Sequence, residues 1–437
     1  MKQENYDVAV IGAGIGGLCA GALAAKEGYK TLVVERMPFV GGRSSSYEYK
    51  GYILTTGAFS VETGGVIERI FNEVGADFDV RDYPPPYYRI EGKDCQLDTG
   101  GQLTSLLRHA ARDEAEAMRI KAAMVRGFKW AEPSEKISFR EWLLQYTDNE
   151  HVLGSFRSMI GGLTGMGPEE IPAREYFRFV THMGGFGKAG FPPKGNLYLM
   201  ESLANTIKGR GGDVWTRSPA KQIKVDDYKA RSVVVEKEGE AIEINAQVVI
   251  SDIHPKYTIG ITGSEHFDKG YLRDVREKLM PVPLLEIVIT SDEPLVEHAE
   301  GIMFTDTRRL DLVMCPTLIC PELAPPGKHF LYTSATLDPI SPPWHFKEEI
   351  EMNLQDLRDN LPGFKDAELL KVSCFTNDWP CYHSWLGYDL PDQKTPIENL
   401  YQIGDATKPS GWLGLPASAE TGRLAVEDMK NRISPSG

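Results

Sequence analysis

Within the first 35 residues, two short apolar runs typical of buried strands flank a segment with the composition of a helix. Residues 7–11 form a short apolar run that ends at a glycine, as a buried parallel strand does. Residues 18–26 are rich in alanine and leucine and stop before Gly28, which predicts a helix. Residues 31–35 are apolar again and end in an acid. The pattern therefore predicts a strand, a glycine-rich turn, a helix and a second parallel strand.

Periodic segments recur along the rest of the chain. Ser138 and Glu141 form a capping box at one predicted helix start. Helices are predicted at 102–112, 114–130, 138–146, 152–161, 197–208 and 346–360. Strands are predicted at 213–215, 218–225, 230–237, 241–245, 246–251, 284–289, 330–334 and 399–403. The close order of the strands from 213 to 251 indicates a small antiparallel sheet that returns to the first unit.

The glycine-rich turn indicates a nucleotide. Gly12 permits a tight turn, Gly14 lets the backbone approach a pyrophosphate, and Gly16 or Gly17 lets the helix pack against the strand. The helix start offers free N–H groups and a partial positive charge to the phosphates. Glu35, about twenty residues further on, can accept hydrogen bonds from ribose hydroxyls. We predict a dinucleotide site, with a plain turn in an ordinary α/β protein as the alternative.

Composition limits the class of protein. A chain of 437 residues exceeds what one hydrophobic core usually supports, so we expect two domains or one domain with a large insertion. The 48 basic and 62 acidic side chains give a net charge of −14, which argues against binding nucleic acid. No apolar run is long enough to span a bilayer, and residues 1–7 show no secretory signal. We expect a cytoplasmic protein.

Cysteine and histidine show no metal-binding pattern. The six cysteines include no C-x-x-C pair, which favours reduced thiols, with a Cys315–Cys320 disulfide as the lesser alternative. The nine histidines lack the spacing of metal ligands. We predict no metal site.

Three further segments make the nucleotide site more specific. The first is Gly-Gly-Arg at 41–43, which can bring more backbone and a cation to the pyrophosphate. The second is the glycine-flanked stretch 51–59. The third is a strand that ends in Gly-Asp at 404–405, followed by residues 410–425, where Pro416 suits a first helical turn.

These segments resemble the motifs of a flavoprotein superfamily that includes phytoene desaturases with their retinol-saturase relatives, protoporphyrinogen oxidase and flavin amine oxidases. The resemblance implies FAD and an α/β fold, in which a Rossmann-like FAD-binding domain of the glutathione-reductase type carries an inserted α+β substrate domain. It also implies that 51–59 passes beside the flavin ring, although Thr55 or Thr56 stands where many relatives have an acid. The residues expected to contact FAD are Gly12, Gly14, Ile15, Gly16, Gly17, Glu35, Arg36, Gly41, Gly42, Arg43, Ser44, Gly57, Ala58, Ala220, Gly404, Asp405, Gly414, Leu415 and Ala417.

The middle of the chain adds a weaker resemblance. Residues 193–196 precede a helix and strands as in the desaturases, with Asn196 in place of a second glycine. The backbone at 220–223 is then expected to touch the adenine. A second G-x-G-x-x-G, at 185–190, follows no clear strand and runs into two prolines. We interpret it as a flexible loop over the active site and not as a second nucleotide site.

The insertions divide the chain into five expected segments. The FAD-binding domain takes its parts from 1–79, 193–262 and 395–437, a mostly helical substrate or cap region occupies 80–192, and a substrate domain with a mixed sheet occupies 263–394.

Aromatic residues near the C-terminus are the catalytic candidates. Trp412 matches an aromatic position that lines the flavin face in amine oxidases, and simple packing is the alternative. Tyr382 and His383 belong to an aromatic cluster at 379–385 that can wall an apolar pocket. Each could act as an acid or a base, with a structural role as the alternative.

The resemblance implies an oxidoreductase in which flavin N5 exchanges a hydride with the substrate. The run 280–286 lacks the lysine that amine oxidases commonly carry there. We therefore favour a desaturase, dehydrogenase or saturase that acts on a carbon–carbon bond of a largely apolar small molecule. The alternative reaction is oxidation of an amine or a porphyrinogen. The alternative without catalysis is a prenyl-protein-binding module of the GDP-dissociation-inhibitor type. The electron acceptor stays open between oxygen, a quinone and another carrier. Peripheral membrane contact and homo-oligomer formation also stay open.

Overall fold

The computed structural model describes residues 1–98, 101–182, 188–280, 282–299, 301–376, 390 and 393–436. Its helices are α1 (Ile15–Lys26), α2 (Val66–Val74), α3 (Gln102–Ala110), α4 (Glu114–Lys129), α5 (Phe139–Leu143), α6 (Glu150–Thr164), α7 (Ala173–His182), α8 (Asn196–Gly209), α9 (Pro255–Thr262), α10 (Lys269–Lys278), α11 (Phe346–Asn360) and α12 (Gly414–Lys430).

Its strands are β1 (Lys2–Ile11), β2 (Thr31–Val34), β3 (Ser46–Tyr49), β4 (Tyr52–Thr55), β5 (Val61–Glu62), β6 (Arg81–Tyr83), β7 (Tyr87–Ile90), β8 (Lys93–Cys95), β9 (Ala189–Phe191), β10 (Asp213–Trp215), β11 (Ala220–Asp226), β12 (Lys229–Lys237), β13 (Glu240–Ser251), β14 (Leu284–Ser291), β15 (Ile302–Phe304), β16 (Leu310–Met314), β17 (His329–Ala335), β18 (Glu368–Phe375) and β19 (Leu400–Gln402).

The first sheet has the order β10-β2-β1-β13-β12-β11, and β19 also pairs with β13. The strands β10, β2, β1, β13 and β19 run parallel, whereas β11 and β12 are antiparallel. Apolar side chains fill both faces of this sheet, as expected for parallel strands covered on two sides. The predicted βαβ unit is therefore confirmed as the centre of a Rossmann-like layer.

Two strand predictions in this sheet were wrong in extent. The segments 241–245 and 246–251 form one strand, β13, because the same backbone pairs antiparallel with β12 and parallel with β1. Strand β1 begins at Lys2 rather than residue 7, since its polar first residues pair with 242–245. Hydrogen bonding across the sheet extends both strands beyond what their hydrophobic pattern indicates.

Helix α1 covers one face of the sheet beside α12 and α8. Gly422 of α12 lies so close to α1 that a Cβ there would stand 2.6 Å from the carbonyl oxygen of Gly16. The contact joins the first and last motifs of the chain, which lie about four hundred residues apart in sequence. Their close approach depends on glycine at the crossing.

The second sheet has the order β18-β14-β17-β16-β15-β7-β8. Its strands are antiparallel except for the parallel pair β15 and β7. One face packs against α11. The other face, together with helices α3 to α7, packs against the hairpin β3–β4. This arrangement agrees with the expected α+β substrate domain.

The predicted helices agree with the structure in part. The capping box of Ser138 and Glu141 is present, and helix α11 has the predicted bounds. Helix α5 is shorter than predicted, and α7 was not predicted at all. The five described cysteines form no disulfide, so the alternative of a Cys315–Cys320 bond is wrong. No helix in the described ranges combines the length and apolar character needed to cross a bilayer.

Candidate functional site

The first glycine turn has the geometry that a pyrophosphate needs. Gly12 has φ +100° and donates its N–H to the Val34 carbonyl at 2.8 Å. Gly14 precedes α1, and a Cβ on it would lie 2.5 Å from a carboxylate oxygen of Asp252. A Cβ on Gly17 would lie 2.1 Å from the Gly12 carbonyl. The turn leaves no room for side chains at these positions, which keeps the backbone at the start of α1 open to a phosphate except where the Asp252 carboxylate lies.

Glu35 is held at the end of β2 by backbone donors. It is buried, and its two carboxylate oxygens accept the N–H of Ala13 at 2.9 Å and of Met37 at 2.8 Å. Each oxygen keeps a lone pair for a ribose hydroxyl. The Ser218 N–H donates to the Glu35 carbonyl at 2.7 Å, which brings the chain that leads to Ala220 to the same end of the sheet. Arg36 is exposed.

The second glycine motif lies directly on the first. Gly41 has φ +100°, and its N–H donates to the Ala13 carbonyl at 2.7 Å. The Ser44 N–H donates back to the Gly41 carbonyl at 2.8 Å, which forms a tight turn through Gly42 and Arg43. Ser44 is buried under this turn. Two separate glycine motifs thus form one cradle.

The third motif reaches the same cradle from the C-terminal part of the chain. A guanidinium nitrogen of Arg43 lies 2.9 Å from a carboxylate oxygen of Asp405. The Gly404 N–H donates to the hydroxyl of Thr421 on α12 at 2.9 Å. The ion pair places one cation and one acid from distant motifs side by side; the resemblance had implied FAD contacts for each of them and no pair between them.

The segment after β4 is also tied to the cradle. The Ala58 N–H donates to the Arg43 carbonyl at 3.1 Å, and the Thr56 hydroxyl donates to the Gly42 carbonyl at 2.7 Å. The Asn196 side chain donates to the Ala58 carbonyl at 2.9 Å. A Cβ on Gly57 would lie 2.9 Å from the Arg43 carbonyl. Residues 55–59 therefore lie between the cradle and the second sheet.

The start of α12 completes this side of the site. The helix begins at Gly414, Ala417 is fully buried, and Leu415 is partly buried. No side chain caps the helix at Leu413, so the first-turn N–H groups are available to a negatively charged group. Trp412 lies just before the helix, and its ring is 5.8 Å from the ring of His182.

Three functional candidates were missed because none belongs to a motif. The first, Glu175 on α7, is buried and fixes the loop before Trp412. Its carboxylate accepts the Ser410 hydroxyl at 2.5 Å and the Gly411 N–H at 2.9 Å. Glu175 thereby holds the two residues that precede Trp412.

The second is Asp252, at the end of β13. Its carboxylate accepts the Gly17 N–H at 2.8 Å. Its side chain is partly exposed. Burial raises the pKa of Asp252 to about 7, and Asp405 raises it further, whereas the Gly17 N–H and Arg43 lower it. The position of Asp252 at the carboxyl end of a central parallel strand is the signal that could have identified it.

The third is Glu286 on β14, which is 1% exposed. Burial raises the pKa of Glu286 to about 7, against the opposing influence of Lys371 and Ser373. A single acid in the apolar run 284–289 was the available signal. The candidates Tyr382 and His383 lie outside the described residues.

Known proteins with similar sequences and structures now identify the family. The profile of the flavin containing amine oxidoreductase family matches residues 15–430. The chain belongs to this family. It is an oxidoreductase that uses FAD.

Individual relatives cover nearly the whole chain. A protein of Methanocaldococcus jannaschii without an assigned function is 26% identical over 98% of this chain and all of its own length. The 15-cis-phytoene desaturase of Synechococcus elongatus is 22% identical over 96% of this chain and 95% of its own length. The crystal structure of an oxidoreductase from Methanosarcina mazei is 28% identical, with a TM-score of 0.83, over 98% of this chain and all of the other.

The cradle fits the FAD that the family uses. A pyrophosphate requires a close approach to backbone N–H groups, and the first and second glycine motifs bring two such turns together, with the Asp252 carboxylate beside the first. A cation is present in Arg43, and Glu35 can accept from a ribose. Asp252 is the exception in this fit, because its carboxyl group would lie near the negatively charged pyrophosphate of an FAD bound in the cradle.

Proposed function

We propose that the protein oxidises or reduces a carbon–carbon bond of a largely apolar small molecule, as a desaturase, dehydrogenase or saturase. When bound, FAD would supply the two-electron chemistry by exchanging a hydride. The chain itself would bind the molecule, orient the reacting bond and exclude water. The observation that carries the proposal is the lining of the cavity between residues 55–59 and the second sheet.

This cavity has no charged side chain among its described lining residues. The lining residues are Ser46, Ile53, Thr55, Phe59, Phe191, Pro192, Gly195, Asn196, Pro316, Leu323 and Tyr332. The rings of Phe59 and Tyr332 stack at 4.7 Å with an angle of 8°. The enclosed space is about 10 Å³, so a substrate could enter only if these walls moved apart. An apolar molecule that displaced them would meet apolar surface, whereas a protonated amine would be desolvated there without a carboxylate partner.

The position of the cavity connects it to the cofactor site. The Tyr332 hydroxyl accepts the Thr55 N–H at 2.7 Å, and the next residues are bonded to the Gly42–Arg43 turn. One short segment thus separates the cavity from the FAD cradle. The similarity to 15-cis-phytoene desaturases, which are named for an apolar polyene, supports the same substrate class.

Anaerobic bleaching of the flavin tests the proposal. The yellow holoprotein would be mixed with 15-cis-phytoene in detergent, with saturated cyclic ketones and with primary amines, while dithionite-reduced protein would be mixed with the matching enones. We expect bleaching by a hydrocarbon or ketone, or reoxidation by an enone. Bleaching by amines alone would refute the proposal and assign an amine oxidase.

A pair of variants links the reaction to the cavity. Phe59→Ala removes one wall of the cavity, so we expect weaker bleaching by the same compound. Phe364→Ala, on the opposite face of the second sheet, is the matched control and should leave bleaching unchanged. Equal effects of the two variants would place the substrate elsewhere.

A further inference from the structure

Glu286 lies on the face of the second sheet that is turned toward the cofactor domain. Its strand neighbours Leu285 and Ile287 pack with α11 on the opposite face. Since side chains alternate along a strand, Glu286 points the other way with Val288, which packs into the core that includes the hairpin residues Tyr52 and Leu54. A carboxyl group is therefore buried on the cofactor-facing side of the sheet.

Only one of the two carboxylate oxygens of Glu286 is hydrogen-bonded to the residues that the structure describes. One oxygen accepts the Ser373 hydroxyl at 3.3 Å, and Ser373 stands opposite Glu286 on β18. Among the residues that the structure describes, the other oxygen has no hydrogen-bond partner and is inaccessible to water. A buried, half-satisfied carboxylate is costly, and protonation relieves that cost.

The charged and titratable groups around Glu286 do not neutralise it. Lys371 on β18 is the cation on the same face, but its ammonium group is hydrogen-bonded to the Tyr47 hydroxyl and lies over that ring at 4.9 Å. Tyr332 on β17 faces the same region, and its hydroxyl accepts the Thr55 N–H of the hairpin at 2.7 Å. No ion pair of Glu286 occurs within the described ranges. Its proton occupancy is therefore sensitive to any new charge nearby.

We propose that Glu286 is a redox-linked proton acceptor, which takes up one proton when the bound flavin is reduced. This inference rests on the proposed function, because oxidation of a carbon–carbon bond releases a proton together with the hydride. One C–H bond of the substrate breaks with its two electrons, and the hydride passes to the flavin. The adjacent C–H bond breaks as a proton and its electron pair forms the C=C bond. Glu286, which lies behind the cavity wall, takes up one proton on flavin reduction, so the proton released by the substrate is balanced by one taken up. Saturation is the same sequence reversed.

The pKa of Glu286 suits this role. A pKa of about 7 leaves both protonation states populated near neutral pH, as an acid or base that works in both directions requires. Negative charge that arrives with the electrons favours the protonated form of a nearby buried carboxyl group. By linkage, protonation of Glu286 favours reduction to the same degree.

A redox titration of the holoprotein without substrate tests the inference. The midpoint potential of the flavin would be measured against pH for the wild type, Glu286→Gln, Ser373→Ala and the exposed control Glu368→Gln. Above about pH 7, where Glu286 is ionised in the oxidised protein, we expect the wild type to take up one more proton per flavin reduced than Glu286→Gln. Glu368→Gln should match the wild type.

Ser373→Ala gives an independent check if Glu286→Gln loses its flavin. Loss of the Ser373 hydrogen bond removes a group that stabilises the carboxylate, so the extra proton uptake should move to higher pH. A carboxylic C=O band in the reduced-minus-oxidised infrared spectrum at alkaline pH should also appear in the wild type and be absent from Glu286→Gln.

The inference is overturned if proton uptake and infrared bands are the same in the wild type, Glu286→Gln and Ser373→Ala. That result would leave the bleaching test on hydrocarbons and ketones unaffected. Conversely, bleaching by amines alone would refute the carbon–carbon reaction while the substrate-free titration still reported on Glu286. Failure of every variant and of the wild type to bind FAD would contradict the cofactor itself.

Discussion

Replacement of Asp252 by asparagine should make the binding of FAD independent of pH. Asp252 bonds to the Gly17 N–H at 2.8 Å, and its pKa is raised to about 7 by burial and then by Asp405. The pyrophosphate brings further negative charge to this cradle, which favours the protonated carboxyl group. FAD should therefore bind the protein that carries a proton on Asp252.

The magnitude follows from proton linkage. Below about pH 7 the carboxyl group is already protonated, and affinity should change little. Above that pH, each unit adds about 1.36 kcal/mol to the cost of protonation, or about a tenfold increase in Kd. At pH 9 the wild type should bind FAD roughly fiftyfold more weakly than at pH 7, where half of the carboxyl groups are ionised, and roughly a hundredfold more weakly than at pH 5. Asp252→Asn keeps an acceptor for Gly17 and should bind with nearly constant Kd.

The assay is the quenching of FAD fluorescence on titration into apoprotein between pH 6 and 9. The distinctive outcome is a crossover, in which the variant binds more tightly than the wild type at alkaline pH. Asp226→Asn, an exposed acid on β11, controls for the loss of one charge and should follow the wild type. Parallel pH profiles for the wild type and Asp252→Asn would refute the reasoning.

Three further predictions concern stability. Gly422→Ala places a methyl group 2.6 Å from the Gly16 carbonyl between α1 and α12 and should cost about 1–3 kcal/mol in urea denaturation, whereas Gly209→Ala, with nothing within 4 Å, should cost nothing. Tyr332→Phe leaves the buried Thr55 N–H without its acceptor and should cost about 1–3 kcal/mol by the same measurement; an unchanged midpoint would contradict this. The raised pKa of Glu286 contributes stability that is present below about pH 4.5 and is lost as the pH rises through about 7. Relative to Glu286→Gln, the wild type should lose about 3 kcal/mol of unfolding free energy over that interval, and parallel curves would count against a protonated Glu286.

The parts of the site that were predictable are those fixed by backbone requirements. Residues 12–17 and 41–43 need glycine because the chain turns sharply or packs without a Cβ, and such needs are visible in any single sequence. Their convergence with 404–405 was implied by the resemblance, and the Arg43–Asp405 pair agrees with it. What the pattern could not supply was the length of β1 and β13, which depends on pairing between segments about 240 residues apart.

The acids in the site differ in how visible they are, and the difference has a physical cause. Glu35 is predictable because its role depends on its distance from the glycines along the chain. Asp252 and Glu286 take their properties from burial, which is set by elements far away in sequence, and the same residues would be ordinary ionised acids on an open strand. The sequence still gives a signal for Asp252 and Glu286. Each is a single acid inside or directly after an apolar strand, and an acid buried at such a position needs a hydrogen-bonding or ionic partner or a bound proton. Among the described residues neither acid has an ion pair, so the raised pKa of each is set by burial and by its hydrogen bonds rather than by a cation.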